Sequence, residues 1–230
     1  MVRAAVEEDR QALIRLRCAR SGGTEEDAAG WLCKVAGLDN ILVVQPAERP
    51  PAAMLGAVPV RCGERRGIWF CGAAAADGVP LETLLPRLLE SCLRAFSAKG
   101  YDFAVLTPDS AAEAARLEKL GFQNLLPTRV LKKPIRRNLM AHAEFDSLTV
   151  RRWLEMRQRY QPGCVNLPEP AMNEVMAQLY RHGLTIVSNR RGYGLYFTKG
   201  DRLQFLELQA DQDYCADLLL QAAREKTGAE

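Results

Sequence analysis

Cysteine and histidine are among the side chains in this sequence that could act as nucleophiles or metal ligands. Neither His142 nor His182 lies beside a cysteine, and the two histidines do not form an HxxxH pair. The seven cysteines contain no CxxC pair and are scattered along the chain: Cys18, Cys33, Cys62, Cys71, Cys92, Cys164 and Cys215. An odd number at irregular spacing argues against a disulfide framework and against a structural zinc site. We therefore expect no metal, and we expect each cysteine to be a small buried apolar residue in a reducing compartment.

The elements that would position a site follow from the apolar pattern of residues 1–131. A short strand at Val2–Val6 precedes a helix that ends at Ser21–Gly23, and Thr24 is predicted to cap a second helix. The other predicted elements are strands or extended segments at Ile41–Val44, Met54–Val60, Ile68–Gly72, Phe103–Leu106 and Phe122–Leu131, and helices at about Leu84–Ala98 and Ser110–Leu120. Thr83 is predicted as the N-cap of the first of these helices, with Pro86 in its first turn.

The same order of elements recurs in the second half of the chain. The basic run 132–137 is predicted to be a solvated linker. After it the pattern predicts a strand, two helices, three strands and a helix: Met140–Phe145, Leu148–Tyr160, Glu169–His182, Leu184–Ser188, Tyr193–Phe197, Leu203–Leu208 and Asp213–Arg224. Corresponding strands lie too far apart in sequence for a solenoid repeat, so this order indicates a tandem domain duplication. The second copy is expected to lack the later strands and the helix of the first.

Composition and charge narrow the class of protein. Hydrophobic residues make up 48% of the 230 residues and charged residues 26%, the mixture of an ordinary soluble globular protein. A net charge of +3 is too small to indicate a nucleic-acid partner. The longest apolar stretches, such as Gly67–Ala76, are far shorter than the roughly 20 residues of a membrane helix, and the first residues contain no apolar signal-peptide core. We expect a cytoplasmic protein with no nucleic-acid or membrane partner.

Residues 115–122 read ARLEKLGF, at the end of a predicted helix and the start of a predicted strand. This segment resembles the FYEKLGF that ends a helix in the GNAT superfamily of N-acetyltransferases. The predicted order of elements is similar to the GNAT domain over residues 1–132 and, in part, over residues 140–230. The resemblance implies an α+β fold with a mixed, mostly antiparallel central sheet flanked by helices. It also implies three parts: a GNAT-like domain at 1–132, a basic linker at 133–139, and a partial second GNAT-like domain at 140–230.

The resemblance implies transfer of an acyl group from acetyl-CoA, or another acyl-CoA, to the amine of a small molecule or peptide. The residues expected to bind that co-substrate lie in the fourth strand and the turn after it: Phe70, Cys71, Gly72, Gly78, Val79, Leu81, Glu82 and Thr83. The strand backbone would contact the pantetheine and the acyl group, and N–H groups at the start of the helix would hold the pyrophosphate. No catalytic residue is identified.

The sequence departs from the GNAT pattern at the expected site. The motif Q/R-x-x-G-x-G/A falls on residues 77–82, where Asp77, Pro80 and Glu82 occupy the three specified positions that matter for phosphate. Proline has no N–H to donate, and two carboxylates would repel a pyrophosphate. The tyrosine that protonates the leaving thiolate falls on Leu117. In the second copy, the corresponding loop at 209–214 contains no glycine and two acids, so no cofactor slot is expected there.

Three functions stay open at this point. The first is an acyl-CoA-dependent N-acyltransferase, in which Cys71 is a packing residue or, in a rarer arrangement, a nucleophile. The second is a non-catalytic GNAT-like binding, regulatory or scaffold protein that has lost the phosphate loop and the tyrosine. The third is an unrelated α/β protein. The strands at Ile68 and Phe103 separate the third from the others, because they run parallel and diverge in a GNAT domain.

Overall fold

The computed structural model describes residues 1–46, 50–125 and 130–229. The chain divides into two compact units. The first comprises residues 1–128 with 165–174, and the second comprises residues 129–164 with 175–230. The domain boundaries implied by the resemblance stay a prediction, since compactness and domain identity are different properties.

A five-stranded sheet forms the centre of the first unit. Its strands, in spatial order, are β1 (Val2–Ala4), β2 (Ile41–Val44), β3 (Ala53–Cys62), β4 (Arg65–Ala75) and β5 (Phe103–Val105). Neighbouring strands are antiparallel except β4 and β5, which are parallel. The β3–β4 hairpin turns at Gly63, whose φ of +57° is the left-handed conformation that favours glycine in tight hairpin turns. The expected α+β fold with a mixed, mostly antiparallel sheet is confirmed.

Four helices accompany this sheet. They are α1 (Arg10–Ser21), α2 (Glu25–Gly30), α3 (Leu81–Ser97) and α4 (Ala111–Glu118), and α2 continues as a π-helical segment at Trp31–Ala36. Thr24 caps α2 as predicted, because its hydroxyl accepts a hydrogen bond from the N–H of Asp27 at 3.1 Å. Gly121, with a φ of +91°, ends α4 in a Schellman motif, in which the N–H of Phe122 donates to the carbonyl of Leu117 at 3.2 Å.

The hydrophobic core of the first unit joins two strands to α3 and α4. Its buried members are Leu55, Ala57, Ile68, Phe70, Leu88, Leu89, Cys92, Phe96 and Leu117. The members from α3 recur every three or four residues, so they occupy one face of that helix. Burial of this face fixes the start of α3 close to the end of β4, where the candidate site lies.

Two sequence predictions for this unit differ from the structure. The helix α3 begins at Leu81 with Pro80 as its N-cap, so the prediction of Thr83 as N-cap with Pro86 in the first turn is wrong. The earlier start follows from the extended backbone of Pro80, whose carbonyl accepts the N–H of Thr83 at 3.1 Å. The extended segment predicted at 122–131 forms no strand in its described parts, 122–125 and 130–131, and residues 126–129 lie outside the described residues.

The second unit has the order of elements that the sequence predicted. Its antiparallel sheet contains, in spatial order, β6 (Glu144–Phe145), β7 (Thr185–Asn189), β8 (Gly192–Lys199) and β9 (Arg202–Ala210). Its helices are α5 (Val150–Tyr160) and α7 (Asp213–Thr227). The helix α6 spans Glu169–Arg181, and its part from Val175 onward belongs to this unit. The strand predicted at 140–145 is shorter than expected, because only its last two residues pair with β7. The core of this unit contains Val187, Tyr196, Leu219, Ala222 and Ala223.

Candidate functional site

The parallel strand β5 is much shorter than β4 and pairs with only part of it. Their pairing extends only from Gly67–Phe103 to Trp69–Val105. The strand β4 continues to Ala75, so its edge beyond Trp69 has no partner strand among the described residues. The backbone N–H and C=O groups of this free edge can pair with a ligand that has amides of its own. The parallel pairing of β4 with β5, with β4 extending beyond it, is the arrangement expected of a GNAT domain and argues against a chance match to an unrelated α/β protein.

A β-bulge interrupts β4 where its free edge begins. The register with β3 shifts between Gly56 and Met54, so that two residues of β4 face one residue of β3. Gly72 lies in this bulge with a left-handed φ of +64°. A Cβ at Gly72 would lie only 2.6 Å from Cη2 of Trp31, so glycine is required there by both conformation and space.

The end of β4 leads through a turn into the first turn of α3. Gly78 has a left-handed φ of +76° in this turn. The N–H groups of Val79 and Thr83 are bonded locally, at 3.0 and 3.1 Å. Those of Gly78, Leu81 and Glu82 donate to no other described residue. Free N–H groups at a helix N-terminus attract anions, so these three can contact a phosphate.

A cavity of about 270 Å³ lies between the start of α3 and helix α4. Charged side chains that line it are Arg20, Glu82, Asp109, Glu113 and Arg116. Three of them are already engaged, since Arg20 forms an ion pair with Asp109 and Glu113 accepts the backbone N–H of Asp109 at 2.6 Å. Because the lining carries two cations and three carboxylates, the cavity lacks the positive excess that would draw in a polyphosphate.

Several solved structures resemble nearly the whole chain. Eis1 from Mycobacterium abscessus has a TM-score of 0.64 over 96% of this chain at 13% sequence identity. A GCN5-related N-acetyltransferase from Kribbella flavida has a TM-score of 0.57 over 97% of this chain at 15% identity. A conserved protein from Enterococcus faecalis has a TM-score of 0.65 over 99% of this chain at 10% identity. No family model and no curated protein matches the sequence.

The chain has the GNAT fold. At these identities the likeness shows the fold alone. The chain spans 61% of the length of Eis1 and of the Kribbella protein, and 63% of the Enterococcus protein. The activities of these longer proteins are therefore considered for this chain only as a proposal.

The eight residues expected to contact acyl-CoA lie together on β4 and the turn into α3 of this GNAT fold. Phe70–Gly72 form the start of the free edge, Gly78 and Val79 lie in the turn, and Leu81–Thr83 form the first turn of the helix. The side chain of Phe70 is only 4% exposed, so its contribution at the edge is limited to its backbone. Contact of these residues with acyl-CoA stays a prediction.

Cys71 has the environment of a packing residue. Burial raises the pKa of its thiol to about 12, and the nearby Arg17 guanidinium offsets only part of this effect. A thiol with such a pKa stays protonated at neutral pH, and the thiolate is the nucleophilic form. The geometry therefore favours packing over covalent catalysis for Cys71.

Leu117 occupies the position where the GNAT tyrosine was expected, and it cannot donate a proton. Its side chain is 4% exposed and belongs to the core beneath α3 and α4. It also lines the cavity between those helices. An acid for the leaving thiolate would have to be water or another group.

Arg17 and Trp31 are residues of the site whose role sequence reasoning missed. Trp31 was expected on the inner face of its helix, and it is 5% exposed there. Arg17 was not singled out, although it follows buried Leu13 by four residues and buried Ile14 by three. A charged residue on the apolar face of a helix is the signal that could have found it.

Other kinds of site receive less support from the described ranges. In those ranges, no cluster of three or more His, Cys, Asp or Glu side chains could hold a metal ion. Every helix described is shorter or more polar than a bilayer-spanning segment requires. In the second unit, one of the two acids of residues 209–214 is paired, since Asp211 forms an ion pair with Arg191 at 2.8 Å. No described strand pairs with the outer edge of β9.

Proposed function

We propose that the first unit is an acyl-CoA-dependent N-acyltransferase. The observation that carries this proposal is the parallel pair β4–β5, which stops at Trp69–Val105 and leaves a free strand edge with a bulge at Gly72. A pantetheine arm carries two amides, and it can pair with such an edge as an added strand does. The GNAT fold supports the same reading, as a fold used for acyl transfer.

The start of α3 would hold the pyrophosphate of acetyl-CoA. The N–H groups of Gly78, Leu81 and Glu82 are free to donate, and the helix dipole favours an anion at this end. The carboxylate of Glu82 and that of Asp77 oppose this attraction. We therefore expect acyl-CoA to bind more weakly than to a glycine-rich phosphate loop.

The transfer step needs positioning more than a special acid. The lone pair of the acceptor amine forms a C–N bond to the thioester carbonyl carbon, and the C–S bond breaks. The amine loses one proton and the leaving CoA thiolate gains one, with water as the carrier because Leu117 has none to give. Holding the two reactants side by side can supply a large share of the rate enhancement.

A non-catalytic GNAT-like module is the second candidate. It is favoured by Pro80, which has no N–H, by the two carboxylates of the phosphate turn, and by Leu117. Such a protein would use its free strand edge or its helices for binding rather than for chemistry.

Two measurements decide between these functions. Isothermal titration with acetyl-CoA measures binding, and mass spectrometry of acetylated products across a panel of amines measures transfer. Binding with transfer is the result that we expect, whereas binding without transfer would favour the non-catalytic module. A clean absence of binding at millimolar acetyl-CoA would contradict the proposed function. Free CoA serves as the control ligand, because it has the same phosphates without the thioester.

A further inference from the structure

The guanidinium of Arg17 lies beside the bulge of β4. Its central carbon is 4.0 Å from the centroid of the Trp31 ring, a cation–π distance. A Cβ at Gly72 would lie 3.1 Å from Nη1 of Arg17, so the guanidinium comes close to the strand backbone at this glycine. The aromatic ring and the helix α1 together hold this cation in one place.

Arg17 has no anionic partner among the residues that the structure describes. On the same helix, Arg10 pairs with Glu7 at 2.6 Å and Arg20 pairs with Asp109. Within residues 1–46, 50–125 and 130–229, no carboxylate forms an ion pair with Arg17 and no acceptor takes its side-chain N–H groups. Desolvation by burial lowers the pKa of Arg17. A half-buried cation without a partner is costly, and a bound anion would relieve that cost.

We propose that Arg17 binds a carboxylate of the acceptor, so that the substrate is an amine that also carries a carboxylate, as amino acids do. This inference rests on the proposed acyl transfer. A guanidinium offers two parallel N–H donors that match the two oxygens of a carboxylate, and stacking on Trp31 fixes its orientation. A carboxylate suits the site better than a phosphate monoester, because one cation balances one negative charge. The amine of such an acceptor would lie near Gly72, beside the thioester.

Paired acceptors test this inference directly. Acetyl transfer is measured by mass spectrometry for the standard amino acids, β-alanine and γ-aminobutyrate, each against its carboxamide. We expect the wild type to prefer the carboxylates. Arg17→Gln should lower kcat/KM for them by roughly 10- to 100-fold and leave the carboxamides unchanged. Arg17→Lys keeps the charge without the fork of donors, so it should recover part of the loss.

Arg15 provides a matched control for the paired acceptors. It is exposed on the same helix, so Arg15→Gln should behave as the wild type does. Thermal melting of each variant checks that it is folded. An equal loss for carboxylates and carboxamides in Arg17→Gln would indicate a role toward the acyl group or the fold, and it would overturn the inference. The absence of any preference in the wild type would do the same.

A binding measurement separates this inference from acyl transfer itself. Calorimetry with N-acetyl amino acids and their carboxamides needs neither acyl-CoA nor turnover. Carboxylate binding that depends on Arg17, in a protein that ignores acetyl-CoA, would keep the carboxylate site and discard the acyltransferase. Turnover of acetyl-CoA with no carboxylate preference in either assay would support the proposed acyltransferase function and contradict the carboxylate site at Arg17. Failure of both assays would overturn both.

Discussion

At the scale of single residues, Gly72 is constrained both by its left-handed φ and by the nearby ring of Trp31. Substitutions can separate these two effects. Gly72→Ala should cost about 1–2 kcal/mol for the left-handed φ and a further 1–3 kcal/mol for the clash with Trp31. Gly63→Ala is the matched control, because Gly63 has a similar φ and nothing within 4 Å of a Cβ. Urea denaturation measures the free energy of unfolding of both variants. Equal losses in the two variants would mean that Trp31 moves aside without cost.

Asp9 predicts a specific dependence of stability on acid. Its carboxylate accepts two hydrogen bonds from Arg3, at 2.6 and 2.9 Å, and one from the N–H of Val6 at 2.9 Å. The bonds from Arg3 are the main reason that the pKa of Asp9 lies below its usual 3.8. The carboxylate therefore contributes stability above pH 3.8, and this contribution is lost as the pH falls through the lower pKa of the folded state.

The substitution Asp9→Asn should flatten that acid dependence. We expect it to cost about 1–3 kcal/mol at neutral pH and much less near pH 2, as measured by urea denaturation across this range. Arg3→Gln should flatten the same part of the curve, because it removes the main partner of the carboxylate. A wild-type curve that keeps its slope in both variants would contradict this account of Asp9.

At the scale of elements, the first turn of α3 has backbone N–H groups that can bind an anion, but carboxylates that repel an anion lie beside them. Asp77 and Glu82 are exposed beside the free N–H groups of that turn. The double substitution Asp77→Asn with Glu82→Gln should tighten acetyl-CoA binding by about 2- to 5-fold at low ionic strength. Isothermal titration measures the change, and added salt should shrink it.

The control for this element lies at the other end of β4. Glu64, in the hairpin turn, is separated from the start of α3 by the 11 residues of β4, roughly 35 Å of extended strand. The two variants are therefore compared at physiological salt, where that distance exceeds the Debye length several-fold and Glu64→Gln should leave acetyl-CoA binding unchanged. An equal gain from Glu64→Gln would show that net charge, and not the helix terminus, controls affinity.

Element ends were predictable where a single residue decides them. The cap at Thr24 and the glycine after α4 are local features, and each has a side chain or backbone conformation that works without distant partners. The start of α3 was not predictable in this way. Two prolines and a threonine lie close together there, and the extended backbone of Pro80, not the side chain of Thr83, begins the helix.

At the scale of the whole molecule, the differing exposure of the seven cysteines predicts a graded reactivity. Cys33 is exposed, whereas Cys92, Cys164 and Cys215 are buried. Native protein should react with Ellman's reagent quickly at Cys33, and at the three buried thiols only as fast as the structure opens. Cys33→Ser should remove the fast phase. Rapid reaction of several thiols in that variant would contradict the burial described here.

The repetition of elements within the chain is also a property of the whole molecule. Each unit orders its first four strands in the sequence of the chain, and each places a helix after the fourth. The long hairpins of both units turn at a glycine with positive φ, Gly63 and Gly200. This repetition could be predicted from the sequence because strand and helix periodicities, turns and helix ends depend on residues that are close in sequence.

The assignment of residues 165–174 to the first unit could not be foreseen from the sequence. Asn166 exchanges two backbone hydrogen bonds with Arg61, at 2.8 and 2.9 Å, and Lys34 pairs with Glu174 at 3.1 Å. These contacts join residues more than a hundred positions apart. No local pattern specifies such partners, because their pairing depends on where two folded segments meet.

The sequence by itself determined the order of strands and helices, the GNAT resemblance and the mismatched charges of the phosphate turn. Each of these is a property of neighbouring residues. Only the tertiary structure decided that Arg17, Trp31 and Gly72 come together at a strand edge left free by β5. The physical reason is that a bulge, a strand edge without a partner strand and a cation stacked on a ring arise from packing between distant segments, which a local sequence pattern does not specify.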